Sequence, residues 1–125
     1  MKLKSLFFFF LLLLFVTNLQ AKAIKLNVTA TAYNSLSAQT DSTPNIGAWG
    51  DRLKKSIKSI AVSRDLLKRG LKRNSVVSIK GLPGLYLVKD KMNKRWRNKI
   101  DIFMGKNKRK ALKWGRQKIE LTWYK

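Results

Sequence analysis

The chain has 125 residues, of which 28 are Lys or Arg and only 6 are Asp or Glu, giving a formal net charge of +22. That length suits one domain with one core. The absence of Cys and His excludes disulfides, the commonest zinc ligands and the Ser/His and Cys/His nucleophile systems, so no metal or cofactor is expected and any chemistry falls to carboxylates, Tyr, Lys or backbone groups.

The amino terminus reads as a secretory signal peptide over residues 1–23. Lys2 and Lys4 precede the apolar run LFFFFLLLLFV, and TNLQAKA ends in an A-x-A pattern at Ala21 and Ala23. The run is roughly half the ~20 apolar residues that a membrane span needs. Removing residues 1–23 takes away only Lys2, Lys4 and Lys22 and leaves +19 of the +22. Such a field attracts polyanions. For an exported protein, whether periplasmic, envelope-associated, at the outer membrane or secreted, these are wall polymers and anionic envelope surfaces rather than nucleic acid.

Within residues 24–125, IKLNVTATAY (24–33) alternates apolar and polar side chains with the period of a half-buried strand. Residues 34–51 form a polar loop holding Trp49 among small residues. SIKSIAVS (56–63) reads as a second strand, and RDLLKRG (64–70) as a helical turn closed by a glycine. SVVSIKG (75–81) and LYLVKD (85–90) read as a hairpin through Leu82, Pro83 and Gly84. KIDIFMG (99–105) is a strand, KNKRKALKWG (106–115) a short basic helix, and QKIELTWYK (117–125) a final strand. Six short strands with one or two helices predict a mainly β barrel or sandwich, closure being the way to remove exposed edges.

The acids differ in context. Asp51 stands beside Arg52 in a loop, Asp65 suits a helix start, and Glu120 falls on the polar face of the last strand. Asp41 in QTDSTPN and Asp90 at a strand end fit turn chemistry. Asp101 lies mid-strand between Ile100 and Ile102, where Asp is disfavoured. It is either a satisfied structural Asp or a partly desolvated carboxyl able to act as a general acid, if burial outweighs the surrounding cations. Glycoside cleavage is the reaction class that uses carboxylates alone.

TATAYN (29–34), SIAVSRDLL (59–67), LVKD ending at Asp90, KIDIFMG around Asp101 and ALKWGRQKIELTW (111–123) together resemble the bacterial 3D domain, a family named for three aspartates. The resemblance implies a six-stranded double-psi β-barrel related to the catalytic domain of lytic transglycosylases and to barwin- and expansin-like proteins. It implies that Asp101 is the catalytic acid/base, with Asp90 beside it in the cleft. Two departures stand out. Ser63 occupies the place after IAV where many members have an aspartate, so the third acid is lost, displaced to Asp65 or supplied by Asp41. Lys91, Met92 and Asn93 replace the glycine pair that commonly follows the second aspartate.

The expected function is therefore cleavage of the β-1,4 bond between muramic acid and glucosamine in peptidoglycan glycan strands. Asp101, Asp90 and Asp41 carry or support the chemistry. Tyr33, Trp49 and Trp96 are candidates for stacking on sugar faces, and Lys94, Arg95, Arg97 and Lys99 for holding an anionic polymer. The alternative is a non-catalytic wall-binding module on the same fold.

Overall fold

The computed structural model describes residues 21–34 and 46–125. Six strands close into a barrel in the order β1-β5-β2-β4-β3-β6. They are β1 (Ala23–Tyr33), β2 (Ser59–Val62), β3 (Val76–Ile79), β4 (Tyr86–Lys91), β5 (Lys99–Phe103) and β6 (Arg116–Tyr124). Among the described residues two short helices, α1 (Arg64–Leu67) and α2 (Lys108–Trp114), accompany them in the mainly β architecture expected above. The strands β1/β5 and β2/β4 pair in parallel, and every other neighbouring pair is antiparallel.

Alternation fills the barrel. Val28 and Ala30 of β1, Ile60 and Val62 of β2, Val88 of β4, Ile100 and Ile102 of β5, and Leu121 and Trp123 of β6 are all buried in one cluster. Each large apolar side chain removed from water stabilises by about 1.5–3 kcal/mol. This core holds together a domain that has no disulfide.

The chain breaks fall where the turn chemistry places them. After α1, the Leu71 N–H returns to the Leu66 carbonyl (3.3 Å) and the Gly70 N–H to the Leu67 carbonyl (3.3 Å). Those are the two bonds of a Schellman motif, and they need the left-handed φ of +103° that Gly70 adopts. β3 and β4 form the expected antiparallel hairpin through residues 80–85, pairing Val77 with Tyr86.

Candidate functional site

The register of four strands assembles a row across the outside of the barrel. Asp101 on β5 lies opposite Thr31 on β1 and opposite Ala61 on β2, and Ala61 in turn lies opposite Asp90 on β4. Directly paired residues point to the same face of a sheet. The even-numbered neighbours Ile100 and Ile102 point into the core, so Asp101 presents its carboxyl on the outer side. With strands about 4.8 Å apart, the backbones of Asp101 and Asp90 stand roughly 10 Å apart across Ala61. Ala61, itself only 4 % exposed, puts no more than a methyl group between the two carboxylates.

Asp90 reaches that row through a β-bulge. Ile60 pairs with Val88, but Ala61 pairs with Asp90, so Lys89 is an extra residue on β4. Bulges re-aim side chains and are rare in parallel pairs. Here the bulge replaces Lys89 by Asp90 opposite Ala61. The Lys89 ammonium instead donates to Asn74 Oδ1 on the far side of the strand. The Lys89 carbonyl marks the close approach of another segment, because a Cβ on Gly47 would come within 2.1 Å of that oxygen. Only glycine lets the 46–52 turn, closed by the Ile46–Arg52 bridge, lie against β4. That contact brings the Ala48 N–H to Asp90 Oδ1 (2.7 Å), which also accepts the Lys91 N–H (2.9 Å).

The Asp101 carboxyl is pushed up to about 6. Burial is the main cause, and the Asp90 charge adds to it. The Thr31 hydroxyl, which donates to Asp101 Oδ1 (3.0 Å), and the Lys99 ammonium pull the other way and lose. Burial thus outweighs the cations, as general-acid duty requires.

Tyr33 and Phe103 continue the stripe one step along β1 and β5. They are paired in register, with ring centroids 5.3 Å apart and an interplanar angle of 58°. Burial, then the charges of Asp90 and Asp101, drive the Tyr33 pKa far upward. Its hydroxyl is buried beside Asp90 without completing a hydrogen bond of ordinary geometry. It therefore stays protonated, and its ring packs on Phe103.

On the other side of Asp101, Lys99 is only 7 % exposed, with its Nζ 3.7 Å from the centre of the Trp96 ring. Burial lowers its pKa, Asp101 partly restores it, and Arg116 and Arg95 lower it further. The sequence grouped Lys99 with the exposed basic run. The structure makes it a buried cation held under an indole. Its backbone is pinned by Ser63, whose N–H donates to the Lys99 carbonyl (2.9 Å) and whose Oγ accepts the Lys99 N–H (3.0 Å). Ser63 sits at the N-cap of α1 but makes no side-chain cap bond, because that hydroxyl is engaged with β5.

The other candidates sort by place. Trp49 lies in the turn beside Asp90, under the Lys91 ammonium at 5.8 Å. The Arg95 guanidinium lies 4.9 Å from the centre of the Trp96 ring, which carries that basic turn towards Lys99 and Asp101. Lys94 and Arg97 are exposed, and Arg97 acts on Asp65. Asp65 does not join the row. It accepts the Asn98 N–H (2.9 Å), at a residue whose φ is +49°. Burial raises its pKa, but the Ser63 hydroxyl and the Asn98 N–H prevail and lower it overall. Asp51 pairs with Arg73. Asp41 lies outside the described residues.

Sequence reasoning missed Thr31, Ala61 and the bulge. Thr31 carried a faint signal, since it falls on the polar face of β1 two residues before Tyr33. Ala61 and the bulge carried none, because both depend on pairing between distant strands. No protein-family model matches this chain, and no curated protein matches it.

Proposed function

We propose that this protein is an exported, peptidoglycan-active enzyme of the lytic transglycosylase type, a member of the 3D domain class with its site on the outer face of the barrel. The observation that carries the reading is the Asp101 carboxyl, half-buried mid-strand, raised to about 6 and paired across Ala61 with Asp90.

A carboxyl of that strength is protonated in about one molecule in ten at pH 7, enough to donate while remaining a useful base. Asp101 protonates the bridging oxygen of the β-1,4 bond as the bond to C1 of the muramic residue breaks. The 6-hydroxyl of that residue then closes on C1, and the Asp101 carboxylate takes its proton. One acid suffices because the nucleophile belongs to the substrate, held where an intramolecular attack is favoured. Asp90 adds to the proton affinity that burial gives Asp101, and the Tyr33 hydroxyl stays neutral near both acids. The basic turn with Trp96 and Arg95, together with Trp49, flanks this row and suits an anionic glycan.

Incubation of the protein with purified sacculi, followed by mass spectrometry of the released material, tests this. Muropeptides with 1,6-anhydro ends are the expected products. New reducing ends would replace transglycosylation by hydrolysis, and retention on sacculi without release would replace enzyme by wall-binding module.

A further inference from the structure

A second concavity, of about 450 Å³, opens at the barrel end where β5 runs into α2. Its apolar wall is built from Leu82, Tyr86, Ile102 and Trp114. Four lysines, Lys55, Lys58, Lys110 and Lys113, line it, and among the described residues no acid does.

The walls are held in place by bonds to neighbouring segments. The Trp114 Nε1–H donates to the Ala30 carbonyl (3.2 Å), so the polar edge of the indole is engaged with β1. Lys58 donates to the Pro83 carbonyl (2.8 Å) and lies 5.6 Å from the centre of the Tyr86 ring, which fixes its charge over an aromatic surface. Lys110 and Lys113 lie three apart on α2 and so share one face. The helix start beneath them is secured by the Asn107 side chain, which accepts the Lys110 N–H (2.9 Å).

We propose that this cleft binds a single anionic amphiphile: a phosphate monoester carried on an apolar chain, the chemistry of a lipid headgroup with its first methylenes. The volume falls within the range of small-ligand sites. A wholly apolar ligand would leave the four lining lysines without a counter-charge from the ligand, and a bare anion would leave the aromatic wall wet. A molecule with one end of each kind satisfies both. The anionic group is a phosphate monoester because it brings about −1.5 to −2 charges and three acceptor oxygens to four lysines, which bind phosphate as point charges, where a carboxylate brings one charge and two oxygens. Neither carboxylate of the row lines the cleft, which meets that stripe only at Phe103, and its test does not depend on the row.

Titration of the isotope-labelled protein with n-decyl phosphate below its micelle concentration, followed by amide NMR, reads the site directly. Saturable shifts centred on Lys58, Tyr86 and Trp114 are expected. Affinity should be at least about tenfold above that for n-decyl maltoside, which has the same chain without charge, and above that for inorganic phosphate, tenfold corresponding to about 1.4 kcal/mol. The paired change Lys58→Gln and Lys113→Gln should weaken binding about tenfold or more, with the amide spectrum of the free protein retained. The exposed pair Lys68→Gln and Lys72→Gln, outside the cleft, should leave binding unchanged. Equal binding of the maltoside would make the cleft merely apolar, and equal binding of inorganic phosphate merely cationic. Shifts spread over the basic surface, or equal loss in both lysine pairs, would reduce the effect to net charge. Each of these results overturns the proposal.

Discussion

Asp101 and Asp65 both lose water on folding and both stand near cations, yet their carboxyls move in opposite directions. Asp65, at the start of α1, receives the Asn98 N–H and lies near the Ser63 hydroxyl, and these favour its charged form over the cost of burial. Asp101, on the barrel wall, receives the Thr31 hydroxyl and faces a second acid, and there burial prevails. In a chain this basic, the number of nearby Lys and Arg does not decide an acid's proton affinity. What decides it is the polar groups and neighbouring acid around the oxygens set against the water removed.

The largest expected effect comes from erasing the raised acid. Asp101→Asn should cut release of glycan fragments from sacculi by about 10²- to 10⁴-fold, the usual worth of a positioned acid/base, while Asp65→Asn leaves release intact. Full activity in the Asp101 variant would end its assignment as the acid/base.

Next comes the dependence of stability on pH. A carboxyl raised from its unfolded value near 4 to about 6 contributes stability that is fully present below pH 4 and lost as pH rises through 6, amounting to about 2–3 kcal/mol. Denaturant unfolding should therefore show wild type losing that much relative to Asp101→Asn between pH 4 and pH 7. Parallel curves would mean that burial does not dominate.

A smaller shift sharpens the hydrogen-bond side of the contrast. Thr31→Val keeps the shape and removes the hydroxyl, so the Asp101 carboxyl should titrate about one unit higher by carbon NMR, in line with a charge-assisted bond of roughly 1.5 kcal/mol. Smallest of all is the effect at α1. Asp65 is lowered, so its contribution is present above pH 4 and lost as pH falls through its folded value. Because it is partly exposed, Asp65→Asn should cost less than about 1 kcal/mol at pH 7 in thermal unfolding.

The strands were legible because their signals are local. Alternation in IKLNVTATAY and the glycine after RDLLKR each involve fewer than a dozen residues, and the barrel kept them. Asp101 was legible for the same reason, an acid between isoleucines in a strand. Lys99 was not, because its burial under Trp96 arises when the 92–98 turn folds back on β5. Thr31 reaches Asp101 across 70 positions of sequence, and no periodicity encodes such a contact. For the third acid the sequence left three alternatives, loss at Ser63, displacement to Asp65 or supply by Asp41, which lies outside the described residues. Asp65 proves to be the partner of Asn98, and Ser63, standing where an acid was expected, holds Lys99 in place.

The extra residue in β4 makes the charge opposite Ala61 a matter of counting rather than of composition. In an unbulged ladder the ammonium of Lys89 would stand there, and a cation beside Asp101 would draw its proton affinity down towards that of an ordinary surface acid. Trimming Lys89 from the chain would keep the carboxylate in place but remove the carbonyl over which Gly47 lies, loosening the turn that clamps Asp90. The length of one strand thus tunes an acid that lies two strands away.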